Sequence, residues 1–205
     1  VTDEVYEHLV FDGGQHVAVA SLPGMAERTL TISSAGKTFS TTGWKVGWVS
    51  GPAAAVAAVR AVKQFLTYVG SGPFQPAVAV GLGLPDSVFT GLARSLQGKR
   101  DRLVAGLRGA GLEVSVPAGG YFVVADAASL GAVDGLAFCH ELPVRSGVVG
   151  VPVSVFHDDP EAGRTLVRGP QRDGRLDLVA DAADHRVEPP WTRAPAHRPV
   201  VAARD

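Results

Sequence analysis

The chain has 205 residues, of which 46% are hydrophobic and 19% are charged, and its formal net charge is −1. This composition is typical of a folded globular protein and excludes a largely disordered chain. The near-neutral charge gives no reason to expect nucleic acid or an anionic membrane as a partner.

Neither a membrane span nor a metal site is predicted. The longest apolar stretch, residues 78–84, ends at Pro85 and is far shorter than the roughly 20 residues that a span requires. None of the six histidines has zinc-ligand spacing from Cys139, the only cysteine. A single cysteine cannot form an internal disulfide, which favours a cytoplasmic location.

Apolar periodicity predicts strands and helices that alternate along most of the chain. Pro52 is suited to the first turn of a helix, the Gly-Ser-Gly-Pro run at 70–73 breaks it, and Gly111 is suited to a helix C-terminus. In chain order, we predict the end of a strand over 1–6, strands over 28–33 and 46–50, helices over 53–69 and from 86 or 87 to about 110, strands over 112–116 and 121–125, a short helix over 133–141, and strands over 148–151 and 164–168.

This order predicts an α/β fold followed by a smaller α+β part. The expected divisions are a first domain over 1–85, a small domain over 86–168, and a tail over 169–205. The tail contains five prolines and six arginines but no lysine, and it shows neither helical nor strand periodicity. We therefore expect it to be disordered, and its abrupt change of character suggests a changed reading frame after Arg168.

Five residues near the N-terminus supply the side-chain types that pyridoxal 5′-phosphate (PLP) chemistry requires. An aldehyde cofactor needs a primary amine, its pyridine nitrogen needs a carboxylate, and its ring oxygen needs a donor. Its phosphate needs a hydroxyl group and a cation. These groups are present in Asp3, Tyr6, Ser34, Lys37 and Lys45.

The segment SSAGKTFSTTGWKVGW at residues 33–48 resembles the lysine signature of class I/II aminotransferases, in particular the kynurenine aminotransferase and glutamine transaminase branch. Residues 3–11 resemble the cofactor strand of that branch, and residues 164–168 resemble its arginine-bearing segment. Gly119-Gly120-Tyr121-Phe122 resembles a small-domain motif, although the two glycines also fit a simple turn. The resemblance covers residues 1–168 and implies a fold type I large domain, a mixed sheet with helices on both faces, plus a smaller C-terminal domain.

The resemblance implies a role for each of the five residues. Lys37 would attach PLP covalently and transfer the proton at the substrate Cα. Asp3 would pair with the pyridine nitrogen, and Tyr6 would donate to the ring oxygen. Ser34 and Lys45 would bind the phosphate.

The implied reaction is the transfer of an amino group from an amino acid to a 2-oxo acid, with Arg168 binding the substrate α-carboxylate through two parallel hydrogen bonds. The resemblance also implies a homodimer when the protein is complete. Three alternatives remain: a PLP-dependent carbon–sulfur β-lyase, a non-catalytic remnant, and the ligand-sensing module of a regulator. The chain begins inside an expected strand and its only methionine is Met25, so we expect an inactive fragment.

Overall fold

The structure is a computed structural model that describes residues 1–159 and 161–170. Disorder was predicted for the tail over 169–205, and residues 171–205 of that tail lie outside the described residues. The chain divides into two compact units. The first comprises Val1–Lys99 together with Pro117–Tyr121, and the second comprises Arg100–Val116 together with the chain from Phe122 onward.

The first unit contains a mixed three-stranded sheet in the order β1–β2–β3. Its strands are β1 (Thr2–Asp3), β2 (Thr31–Ser34) and β3 (Gly47–Ser50). β1 runs parallel to β2, and β3 runs antiparallel to it. The predicted start of β2 at Arg28 is wrong, because Arg28 ends a 3₁₀ turn and the strand begins only where its neighbours offer backbone partners.

Four helices begin in the first unit: α1 (Ala35–Thr38), α2 (Ala53–Leu66), α3 (Gln75–Leu82) and α4 (Asp86–Gly109). α2 follows Pro52 as predicted but ends three residues early. The amides of Thr67 and Tyr68 both bond to the Lys63 carbonyl, and Tyr68 adopts a left-handed φ of 55°. The sequence did not predict α3, because every residue after Gln75 is apolar and the segment shows no helical periodicity.

The long helix α4 confirms the prediction from apolar spacing. Gly111 follows it with φ of 85°, and the amide of Leu112 bonds back to the carbonyl of Leu107, which closes the helix end. Within the second unit, Val104 of α4 packs in an apolar cluster with residues that follow the helix. The cluster consists of Val104, Ala110, Leu112, Val114, Val123 and Ala125.

The second unit contains an antiparallel four-stranded sheet in the order β4–β5–β7–β6. Its strands are β4 (Glu113–Ser115), β5 (Phe122–Asp126), β6 (Val151–Pro152) and β7 (Leu166–Pro170). The β4–β5 pair was predicted. β6 retains only Val151 of the strand predicted over 148–151, and β7 starts two residues late and continues through Gly169 and Pro170.

Helix α5 (Gly135–Ser146) is longer than the predicted helix over 133–141. The Asp134 carboxylate caps its start by accepting hydrogen bonds from the amides of Leu136 and Ala137. The helix continues past Pro143 and closes where the amide of Gly147 bonds to the Pro143 carbonyl. A proline one turn before the end removes one amide donor without ending the helix.

Among the described residues, no single helix is long and apolar enough to cross a membrane, and only the bent pair formed by residues 72–82 and α4 reaches that length and composition.

Candidate active site

Four of the predicted site residues lie at one edge of the three-stranded sheet. Since β1 and β2 are parallel, their last residues, Asp3 and Ser34, lie at the same edge. β3 is antiparallel to β2, so its first residue, Gly47, pairs with Ser34, and Lys45 lies two residues before it. Lys37 lies on α1, which begins directly after Ser34.

The amino group of Lys37 lies beside a pair of tyrosine rings, at nearly equal distances from both. Its Nζ is 5.8 Å from the centroid of the Tyr6 ring and 5.7 Å from that of Tyr121. The two rings are 5.8 Å apart and inclined by 57°. Tyr121 Oη also donates a hydrogen bond of 2.5 Å to the carbonyl oxygen of Lys37.

Tyr121 reaches Lys37 because residues 117–121 join the first unit. Val10 and Gly119 form an antiparallel bridge, and the amide of Gly120 donates to the carbonyl of Leu9 at 2.9 Å. A Cβ atom on Gly119 would lie 2.5 Å from that carbonyl oxygen, so only glycine allows this approach. The two glycines therefore do more than turn the chain.

In the sequence, Tyr121 stands out only as part of a Gly-Gly-Tyr-Phe motif, which does not predict its contact with Lys37. The available signal was a tyrosine directly after paired glycines, since glycines permit close backbone approach. That signal does not specify which residue the tyrosine contacts, and Lys37 lies 84 positions earlier in the chain.

Ser34 and Lys45 have groups available for an anion. Ser34 precedes the first turn of α1, but its hydroxyl does not cap that turn. Lys45 is exposed and adopts a left-handed φ of 54°. The hydroxyl of Ser71 donates to the backbone carbonyl of Trp44, and the Trp44 ring stacks on Phe74 at 4.7 Å, which holds the loop before β3.

Asp3 is exposed, and its carboxylate accepts a hydrogen bond of 3.3 Å from the amide of Val5. A carboxylate with this single long bond has lone pairs available for a cationic partner. Exposed Asp3 and Lys45, a hydroxyl at Ser34 and a half-buried amine at Lys37 together form a donor set that fits PLP.

The neighbouring carboxylate, Glu4, is buried and fully engaged within the protein. It accepts hydrogen bonds from His16 Nε2 at 2.9 Å, from the hydroxyl of Thr2 at 2.8 Å and from the amide of Val19 at 3.2 Å. The bond from His16 is the main cause that lowers the pKa of Glu4, against the opposing effect of burial. Glu4 therefore ties the chain at residues 16–19 to the end of β1.

Arg168 belongs to the second unit, where aromatic rings contact its guanidinium group. The centre of that group lies 4.4 Å from the Phe122 ring centroid and 4.1 Å from that of Phe156. Its Nε is buried and has no hydrogen-bond partner among the described residues. A buried donor without an acceptor is costly, and an incoming anion would relieve that cost.

A sequence model described as aminotransferase class I and II matches residues 1–176. The chain belongs to the class I and II aminotransferase family. The resemblance inferred from the sequence is thus confirmed, but the predicted limit at Arg168 is wrong because the match continues to residue 176.

Curated aminotransferases of two kinds are similar to this family member. A Mycobacterium tuberculosis protein named a probable N-succinyldiaminopimelate aminotransferase is 53% identical over 164 residues, which are 80% of this chain and 41% of that protein. Human kynurenine–oxoglutarate transaminase 1 is 40% identical over an alignment of 178 positions that covers 78% of this chain and 42% of that protein. The chain thus spans about two fifths of these relatives.

Solved aminotransferase structures confirm the α/β fold of the fold type I class. The N-succinyldiaminopimelate aminotransferase from Mycobacterium tuberculosis aligns with a TM-score of 0.83 and 50% identity, over 87% of this chain and 47% of that chain. YbdL from Escherichia coli, described as having a methionine aminotransferase function, aligns with a TM-score of 0.79 and 36% identity, over 88% and 48%.

Proposed function

We propose that the protein that contains this chain transfers amino groups between an amino acid and a 2-oxo acid, with PLP as cofactor. The observation that supports this most directly is the Lys37 amine beside the rings of Tyr6 and Tyr121. Lys37 lies on the helix that follows Ser34, at the edge of the sheet that also holds Asp3 and that Lys45 precedes. When bound, PLP supplies an aldehyde carbon that reacts with amines and a ring that withdraws electrons.

The proposed roles follow from the chemistry of each group. Lys37 Nζ holds the cofactor and then carries the proton removed from the substrate Cα. The Asp3 carboxylate stabilises positive charge on the pyridine nitrogen, and Tyr6 Oη donates to the ring oxygen. Ser34 Oγ and Lys45 Nζ bind the phosphate, where lysine acts as a point charge and lacks the two-pronged geometry of arginine.

We further propose that Arg168 binds the substrate α-carboxylate. The phenyl rings of Phe122 and Phe156 lie close to the guanidinium carbon, and such cation–π contacts do not use the N–H groups at the edge of the guanidinium plane. A carboxylate matches that edge with two parallel hydrogen bonds. The buried and unpaired Nε supports this assignment.

We also propose a cytoplasmic homodimer. Cytoplasmic location is supported by the single cysteine, which precludes an internal disulfide. A dimer is supported by α2, whose Phe65 and Leu66 are 84% and 78% exposed. Adjacent apolar side chains at this exposure favour burial against another surface.

The test of this function is covalent capture of PLP. We expect the chain mixed with PLP to absorb at about 360–430 nm and borohydride to fix the cofactor on Lys37, with Lys37→Ala losing the adduct. Lys63→Ala is the matched control, because Lys63 lies on exposed α2. An adduct on another lysine of the unsubstituted chain contradicts the assignment.

Product analysis then separates transamination from elimination. The amino donors include N-succinyldiaminopimelate, kynurenine and methionine, for which similar proteins are named. Conversion of the donor to its 2-oxo acid, with the amino group recovered on an added 2-oxo acid, supports the proposal. Release of ammonia, pyruvate and a thiol from a cysteine S-conjugate, without amino transfer, would instead show a β-lyase.

A further inference from the structure

Tyr121 contacts Lys37 at both ends of that residue. Its hydroxyl donates to the Lys37 carbonyl oxygen, and its ring lies beside the Lys37 amine. Lys37 itself is the residue on which the proposed function depends, so what fixes its position matters for the chemistry. We propose that Tyr121 is a positioning residue that holds Lys37 in place for reaction with the cofactor aldehyde, and this inference rests on the proposed function.

The backbone around Lys37 needs such support, because α1 is a single turn of four residues. An isolated turn is only marginally stable, since few hydrogen bonds offset the cost of ordering it. Among backbone amides, that of Ser40 reaches the Lys37 carbonyl at a long 3.4 Å, and that of Phe39 is shared between the carbonyls of Ala35 and Lys37. The Tyr121 hydroxyl, at 2.5 Å, therefore supplies its short hydrogen bond.

The side chain of Lys37 also needs support, because four flexible bonds separate its amine from the backbone. The rings of Tyr6 and Tyr121, at 5.8 and 5.7 Å from Nζ, restrict the directions in which the amine can point. Tyr6 lies three residues after the end of β1, whereas Tyr121 is brought in by the bridge between Val10 and Gly119. Tyr121 thus fixes the backbone and the amine of Lys37 together.

Two variants separate the hydroxyl from the ring. Tyr121→Phe removes the hydrogen bond to the Lys37 carbonyl but keeps the ring, and Tyr121→Leu removes both. Ser21→Ala is the matched control, because Ser21 also donates a side-chain hydroxyl to a backbone carbonyl, that of Ala18, at 2.7 Å. Circular dichroism verifies that each variant is folded.

The first measurement does not involve PLP. The four lysines are dimethylated with ¹³C-formaldehyde, and Lys37→Arg assigns the Lys37 resonance. We expect ring currents to separate that resonance from the other three, with Tyr121→Leu moving it toward them and Tyr121→Phe leaving it separate. A Lys37 resonance that coincides with the others in the unsubstituted chain overturns the proposal.

The second measurement is the rate of covalent attachment, in which the neutral amine nitrogen adds to the aldehyde carbon and a water molecule leaves. We expect Tyr121→Phe to slow adduct formation about three- to tenfold, as loss of one hydrogen bond implies, with Tyr121→Leu slower still and Ser21→Ala unchanged. An unchanged rate in Tyr121→Phe overturns the proposal. Absence of any adduct on Lys37 contradicts the proposed function instead, and the ¹³C spectra then decide whether Tyr121 holds Lys37.

Discussion

At the scale of single residues, Asp3 offers a direct test of charge. Its exposed carboxylate accepts one long hydrogen bond from the amide of Val5. We expect Asp3→Asn to slow proton transfer at the substrate Cα by at least about a hundredfold, because the amide cannot stabilise a positive pyridine nitrogen, while PLP still binds. Single-turnover absorbance with one amino acid measures this rate, and an unchanged rate rules out the role given to Asp3.

Arg168 offers a test of geometry rather than charge. Arg168→Lys keeps the positive charge but loses the guanidinium edge that can donate two parallel hydrogen bonds to a carboxylate. We expect KM to rise at least about tenfold for amino acids and to change little for simple amines, which lack the carboxylate. Arg164→Lys is the matched control, because Arg164 is exposed and pairs with Glu161. Equal rises for amines and amino acids would show that Arg168 does not recognise the carboxylate.

The sequence singles out the candidate residues that stand within one short motif. Lys37, Ser34 and Lys45 lie within twelve positions in the segment that resembles the aminotransferase lysine signature, and their roles stay predictions. Tyr121 and Glu4 were missed because their relevant partners are set by tertiary contacts. The Tyr121 bond to Lys37 spans 84 positions, and the buried bonds of Glu4 depend on how residues 16–19 return to β1.

At the scale of elements, the Glu4 carboxylate links β1 to residues 16–19, and this link is sensitive to acid. The hydrogen bond from His16 lowers the folded-state pKa of Glu4, so its contribution to stability is complete above the ordinary glutamate value of about 4.3 and is lost as the pH falls through the folded-state value. We expect Glu4→Gln to destabilise the protein at pH 7 by about 1–3 kcal/mol, since buried partners lose a charged acceptor.

Denaturant unfolding at several pH values tests this link. The stability difference between the unsubstituted chain and Glu4→Gln should shrink as the pH falls below about 4. The exposed Glu27→Gln serves as control and should show no such convergence. A difference that stays constant down to pH 2 would show that the charge of Glu4 does not stabilise the folded state.

The bridge between residues 9–11 and 117–121 depends on one glycine. We expect Gly119→Ala to destabilise the protein by about 2 kcal/mol or more, because its Cβ would lie 2.5 Å from the Leu9 carbonyl oxygen. Gly98→Ala, in α4 with open space around the new Cβ, should instead stabilise by roughly 0.5–1 kcal/mol. Denaturant unfolding measures both, and a neutral Gly119→Ala would show that the close approach is not required.

Helices and strands were predictable from the sequence where an apolar periodic pattern, or a glycine or proline at one end, determined them. The apolar face of α4 and Gly111 at its end predicted that helix well. α3 and β6 were predicted poorly for different physical reasons. α3 is apolar on every side, and β6 is a two-residue strand whose extent is set by its pairing with β7.

At the scale of the whole molecule, the two units share one polypeptide in an interleaved order. The chain passes from one unit to the other after Lys99, after Val116 and after Tyr121. The short segment Pro117–Tyr121, which carries Tyr121 to Lys37, therefore lies between two segments of the second unit. A peptide of five residues thus connects β4 to β5 along the chain and carries Tyr121 to Lys37.

This interleaving has a consequence for dissecting the protein. A single protease cut cannot divide it into its two units, because three crossings connect them. A truncated gene that ends at Lys99 would encode most of the first unit yet omit Tyr121, and one that starts at Arg100 would carry Pro117–Tyr121 away from the segment it bridges. Recombination between relatives within this family should therefore exchange residues 1–121 as one block if the surroundings of Lys37 are to be inherited intact.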